Sequence, residues 1–256
     1  GLFPPANPLD NGPFIEGCLA TTWGPMEIRR ADLLSFTPSD GTVVVIDVLR
    51  AATTACYAFS AGVNEILLAS SIDDALALRE RFPGSLIMGE VDGYPVKGFD
   101  LGNSPSQLQG IDLHGRRLIQ RTSAGTQGVF AAASAAFLYL ACLCNLRATA
   151  SRILYHANSA VTLLATGVFE GGWGDEDVAC GDCLQALIEG MEPDIPGAIG
   201  RVRASRSGRH YSEPNHEVFP AADLELATRV DSFPNAIEVH RDSGLLIAKV
   251  ANRSAA

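Results

Sequence analysis

Four polar segments hold most of the side chains with which this chain could do chemistry. The first reads Asp47-Val48-Leu49-Arg50-Ala51-Ala52-Thr53-Thr54. A carboxylate, a guanidinium and two hydroxyls in close succession can hold a hard cation and a phosphate together, because carboxylate oxygens ligate the ion while Arg forks onto oxyanions. The second, Arg121-Thr122-Ser123-Ala124-Gly125-Thr126, repeats the pairing of an Arg with hydroxyls around a permissive glycine. The third runs from Gly89-Glu90 through Gly98-Phe99-Asp100-Leu101-Gly102-Asn103-Ser104-Pro105, too polar and glycine-rich for a core. Its Glu90, Asp100 and Asn103 supply hard oxygen donors suited to magnesium. The fourth, Gly171-Gly172-Trp173-Gly174-Asp175-Glu176-Asp177, brings carboxylates into what reads as the first turn of a helix. Each also has a plainer reading: an Asp47–Arg50 ion pair, a capped turn at 121–126, and acids that complement a helix dipole.

Strands and helices must position these segments. Val43 to Ile46 is a continuous β-branched run, the mark of a strand buried on both faces. Ala51 to Ala61, closed by Gly62, reads as the helix that follows it. Glu65 to Leu68, Ser85 to Met88, Arg117 to Gln120, Val161 to Ala165 and Leu245 to Val250 are further strand predictions. Helices are predicted at Asp73 to Phe82, with Ser71 and Asp74 placed for a capping box, and at Thr126 to Ala136, Ala148 to His156, Asp177 to Glu189 and Ala222 to Arg229. Alternation at this spacing predicts a three-layer α/β/α fold with a largely buried central sheet, one domain over residues 1–256. The proline-rich first twenty residues are expected to lie extended on the surface, and Glu192 to Pro220 to form an irregular surface excursion. In such a fold ligands bind outside the carboxyl ends of the strands, where the polar segments fall.

Composition narrows the partners. The 29 acidic and 19 basic residues give a formal charge of −10, which repels nucleic acid and anionic membranes, so an anionic ligand must be held by local positive groups. No stretch has the length and apolarity of a membrane helix and no signal pattern opens the chain, so a soluble, cytoplasmic protein is expected. The six cysteines sit mostly in apolar segments and read as buried free thiols.

Taken together, Asp47-Val48-Leu49-Arg50-Ala51 with Thr53-Thr54, Gly98 to Pro105, Gly125-Thr126, and Glu176-Asp177 with Cys180-Gly181 resemble, in order and spacing, the pattern of 2-phosphosulfolactate phosphatases. The resemblance runs from about Trp23 to the final strand. It departs at Ala52, within a turn otherwise rich in Thr, and at Ser123-Ala124, where the family often has Thr-Asn. The resemblance implies an α/β/α fold and magnesium-dependent hydrolysis of 2-phospho-3-sulfolactate to sulfolactate in coenzyme M synthesis. A different small anionic phosphomonoester, or anion binding without turnover, are the alternatives. A homodimer is the assembly allowed for.

On that basis Asp47, Arg50 and Glu90 are the expected catalytic residues. Mg²⁺ would be held by some of Asp47, Glu90, Asp100 and Asp177. Arg50, Thr53, Thr54, Asn103, Ser104, Arg121, Thr122, Gly125 and Thr126 would bind the substrate. Water attack and a phosphoaspartyl intermediate both stay open. Asp47 is followed by Val48-Leu49 and so does not open an Asp-x-Asp signature, and Cys-x₅-Arg, Arg-His-Gly and the Gly-x₄-Gly-Lys loop are absent, which argues against four other phosphoryl-transfer designs. Two rival readings compete: metal or redox chemistry at Cys180 and Cys183 with Cys142 and Cys144, and metal binding by His210, Glu213 and His216. The first places its cysteines inside a helix and the second is broken by Pro214.

Overall fold

A computed structural model describes residues 26–156, 160–167, 174–213 and 216–251. The expectations for the first twenty residues, and for Gly171 to Trp173, lie outside this set. Strand β1 (Glu27–Asp32) is a charged edge strand, and β2 (Thr42–Ile46) is wholly buried, as its β-branched run requires. Helix α1 (Ala51–Ser60) follows at once, then β3 (Glu65–Leu68) and α2 (Ile72–Arg81). The Ser71 hydroxyl caps α2 by accepting the Asp74 N–H, while Asp74 reaches back to Ser70 rather than to Ser71. Next come β4 (Leu86–Val91), the short β5 (Tyr94–Pro95) and β6 (Leu101–Gly102), and β7 (Arg117–Arg121).

The second half continues with α3 (Gly125–Ala131), β8 (Phe137–Ala141), α4 (Leu146–His156), β9 (Ala160–Ala165) and α5 (Asp175–Ile188). Helices α6 (Ile195–Ala204) and α7 (Arg206–Arg209) then replace the irregular excursion expected there. Asp194 caps α6 through the Gly197 N–H, and Pro196 sits in its first turn, where a missing N–H costs nothing. Composition hid the helix; its buried Ala198 and Val202 hold it down. Helix α8 (Ala221–Ala227) and the hairpin β10 (Ile237–Asp242) and β11 (Leu245–Val250) complete the chain.

All the strands join in one sheet, ordered β1-β9-β2-β8-β10-β11-β3-β7-β4-β5, with β6 beside β4. Strands β1, β9, β2 and β8 form one parallel block, and β3, β7, β4 and β6 a second. The β10–β11 hairpin splices them through antiparallel pairings. The fold is therefore the expected helix-covered α/β sheet, with a mixed rather than purely parallel order. Strand twist accumulates across the splice, and the carboxyl ends of β2, β4, β7 and β9 meet: Gln120 on β7 donates to the Ala51 carbonyl at the start of α1, and the Thr166 N–H after β9 donates to Ile46 O.

Candidate active site

At that convergence a cavity of about 570 Å³ opens. Two other hollows, of about 420 and 290 Å³, gather none of the candidate residues. Asp47 stands at the carboxyl end of β2, 5% exposed, its Oδ1 accepting the Ala51 N–H at 2.9 Å. Burial pushes its carboxyl up to about 7; the Ala51 N–H opposes this, and repulsion from Glu90 and Glu176 adds to it. Glycine is required opposite: a Cβ on Gly125 would come within 2.7 Å of Asp47 Oδ2 and 2.6 Å of the Ala51 methyl. The start of α3 can press on Asp47 only because that methyl is missing.

Two more carboxylates arrive from α5. Glu176 lines the cavity and is buried, and its Oε2 has no hydrogen-bond partner. Asp177 is consumed by the framework. Its Oδ1 accepts the Val48 N–H at 2.8 Å, and its Oδ2 accepts from Gly167 N–H at 3.0 Å and the Thr166 hydroxyl at 3.3 Å. Burial, with Glu176 and Asp47 beside it, raises the Asp177 carboxyl well above the usual range against those backbone bonds. From β4, Glu90 accepts the Ser123 N–H at 2.6 Å and bonds to Gly93 N–H, tying its strand to the turn after β7. Asn103 completes this wall, its Oδ1 buried and unpartnered.

Arg50 is placed differently from the expected oxyanion clamp. Its Nη1 pairs with Asp223 at 2.8 Å and donates to Val218 O at 2.9 Å, and its Nη2 donates to Gly93 O at 3.1 Å. The guanidinium lies over Tyr211 and Phe219, 5.6 and 5.2 Å from the ring centres. Arg50 thus lines the cavity while its fork holds the roof. Asp223, buried completely, also accepts from Ser104 hydroxyl and Ser106 N–H, both at 2.9 Å.

Several expected ligand-binding residues are not brought to the cavity. Thr53 on α1 donates to Val48 O in the turn before the helix, and Thr54 is buried on α1 without a partner. Thr122 and Thr126 cap one another's N–H groups across the start of α3. Arg121 donates to Glu90 O at 2.6 Å. Asp100 faces away, its Oδ2 accepting Ile87 N–H at 2.8 Å with Arg79 3.6 Å off, so its carboxylate braces β4 rather than the site. The cysteines of the rival reading are buried thiols. Cys180 and Cys183 lie on α5, and Cys56 Sγ is 3.7 Å from Cys142 Sγ. His216 accepts from Val218 and Phe219 N–H, while the His210 ring lies tilted against Phe219 at the cavity, 5.4 Å between ring centres.

Among the described residues no three His, Cys, Asp or Glu side chains form a ready-made metal cage. The donor set nonetheless fits magnesium, which keeps several waters and takes one or two carboxylates plus substrate oxygens. An unsatisfied Glu176 oxygen, an unsatisfied Asn103 oxygen and the mutually repelling Asp47 are what a hard cation relieves.

A model of the 2-phosphosulpholactate phosphatase family matches residues 29–207. The chain belongs to this family. The match takes in Asp47, Glu90, Asn103 and Glu176, and stops short of Tyr211, Phe219 and Asp223. A probable 2-phosphosulfolactate phosphatase of Bacillus subtilis (strain 168) is 31% identical over 208 residues, 80% of this chain and 89% of that one. Similar proteins of the same description are 39% identical in Deinococcus radiodurans over 161 residues, 62% and 67% of the two chains, and 35% in a Synechocystis species over 166, 64% and 68%.

Sequence reasoning passed over two residues of the candidate site, Glu176 on the cavity wall and Asp223 behind Arg50. Glu176 was legible as part of the Glu-Asp pair, yet its neighbour Asp177 drew the metal assignment, because side-chain direction in a first helical turn is not written in spacing. Asp223 had no signal: one acid at the start of a helix reads as a dipole complement.

Proposed function

We propose that this chain is a magnesium-dependent phosphatase that releases phosphate from 2-phosphosulfolactate, in a coenzyme M synthesis of the family's type, in the cytoplasm. The observation that carries it is the crowding of the buried Asp47, Glu90 and Glu176 around one cavity, with a Glu176 oxygen left unsatisfied. Magnesium, when bound by Glu176 and Asn103, supplies charge neutralisation to the phosphate oxygens. The rest falls to the chain. Asp47, with Oδ1 engaged by Ala51, has Oδ2 to take a proton from water or to attack phosphorus, and a carboxyl near 7 suits proton transfer at neutral pH. Glu90 fixes the Ser123 turn beside it. Tyr94 and Phe219, packed edge to face at 5.8 Å, wall off the side toward solvent. The free buried thiols agree with a reducing compartment.

The test is phosphate release from 2-phosphosulfolactate, 2-phospholactate and glycerol phosphate, with Mg²⁺ or EDTA. Wild type should act on the first with Mg²⁺ only, and Asp47→Asn should lose at least a hundredfold in kcat, the scale of an acid–base group. Release that persists in EDTA, or a fully active Asp47→Asn, overturns the assignment.

A further inference from the structure

The hydroxyls on the described cavity wall differ in what they are free to do. Ser123 donates to Glu90 at 3.3 Å, and the Thr166 hydroxyl is held between Ile46 O and Asp177, 3.1 and 3.3 Å away. Ser207 is partly open to solvent and Tyr94 largely so. Tyr211 is only 4% exposed, yet its hydroxyl has no hydrogen-bond partner among the described residues. Its ring is fixed edge-on against Phe219, 5.6 Å between centres, with the Arg50 guanidinium also 5.6 Å from its own centre. Burial raises the phenol above its ordinary range; the Arg50 guanidinium opposes this, and Asp223, Asp47 and Glu176 add to it. The oxygen therefore keeps its proton at neutral pH and lies within electrostatic reach of the two cavity carboxylates. The residue falls beyond position 207, where the family match ends.

We propose that Tyr211 is the general acid of the reaction, its hydroxyl protonating the ester oxygen that leaves phosphorus. This rests on the phosphatase reading above. In phosphoryl transfer the attacking and leaving oxygens lie roughly in line on opposite sides of phosphorus. Asp47 acts from the end of β2 in the sheet, whereas Tyr211 comes from the turn after α7, beneath the Arg50 roof. A phosphorus seated between them is attacked from the first side and loses its ester oxygen toward the second. As the new P–O bond forms, the ester P–O bond breaks and its electron pair stays on the leaving oxygen. An alkoxide is far more basic than a phenolate, so the proton passes from Tyr211 to it and frees the hydroxy acid. The phenolate, its ring faced by Arg50, regains the proton that the hydrolytic water gives up.

The experiment compares wild type and Tyr211→Phe, with Mg²⁺ present, on 2-phosphosulfolactate and on its analogue with sulfur in place of the bridging oxygen. A thiol is far more acidic than an alcohol, so the sulfur ester leaves as a thiolate that needs no proton. We expect Tyr211→Phe to lose at least about a hundredfold in kcat on the oxygen ester and no more than about threefold on the sulfur ester, the signature of a missing proton donor. KM should stay within about threefold on both, since the hydroxyl acts as the bond breaks. Turnover of the sulfur ester by the variant also shows that it has folded. Losses of equal size on the two esters, or none on the oxygen ester, overturn the proposal and leave the phosphatase reading standing. No release by wild type from either ester overturns both.

Discussion

Asp47 shows how much of a residue's chemistry comes from its surroundings. An ordinary aspartate is ionised at neutral pH, but here burial and two neighbouring carboxylates lift the folded-state value from 3.8 to about 7. The sign follows by linkage: between those values the folded state binds the proton more tightly than the unfolded state, so stability is greatest below about pH 4 and falls as pH rises toward 7. Each unit is worth about 1.4 kcal/mol, so the whole drop is on the order of a few kcal/mol. Thermal unfolding in EDTA should therefore show a Tm that declines from pH 5 to 7, and in Asp47→Asn this component of the decline should vanish. A second residue-scale contrast separates Asp100, an expected metal ligand, from Glu176, the one proposed above. Glu176→Gln should weaken magnesium binding at least tenfold by calorimetry. Asp100→Asn should leave magnesium affinity and kcat within twofold while costing about 1 kcal/mol of stability through the bond to Ile87.

At the scale of elements, the site depends on two places where backbones approach too closely for a side chain. Gly89 has φ +148, and a Cβ there would stand 1.9 Å from Arg121 O across the β4–β7 pairing. Gly125 leaves room for Asp47 at the start of α3. Gly125→Ala should accordingly displace the carboxylate, cutting kcat by tenfold or more with Tm reduced by only a few degrees. Gly89→Ala should instead cost more than about 3 kcal/mol and be read in chemical denaturation. Most elements were legible in the sequence for local reasons. The Val43–Ile46 run buries both faces, the cap at Ser71 starts α2, and Leu245 to Val250 has its strand bounds in the residues themselves. What escaped were β1, β8 and β10, whose patterns are charged, short or mixed, and α6, masked by Pro196, Gly197 and Gly200. In each case packing against the sheet or against α5 overrides weak local preference.

On the scale of the whole molecule, the Arg50–Asp223 pair ties together segments far apart in the chain: the start of α1, the turn at Ser104 to Ser106, the Val218 carbonyl and the head of α8. Asp223→Ala strands a buried guanidinium and should destabilise by about 3–5 kcal/mol in denaturant titrations, with the cavity roof loosened. The sequence by itself determined the alternation of strands and helices, the junctions where chemistry would gather, and the identity of Asp47 and Glu90 among the polar groups there, because strand burial, helix starts and carboxylates are local properties. Only the tertiary structure decided that Arg50 and Asp177 spend their hydrogen bonds on the framework, that Asp100 faces away, and that Glu176, Asp223 and His210 face the site or brace it. Those outcomes depend on how the twisted sheet brings the ends of β2, β4, β7 and β9 together, a long-range packing result that no spacing along one segment encodes.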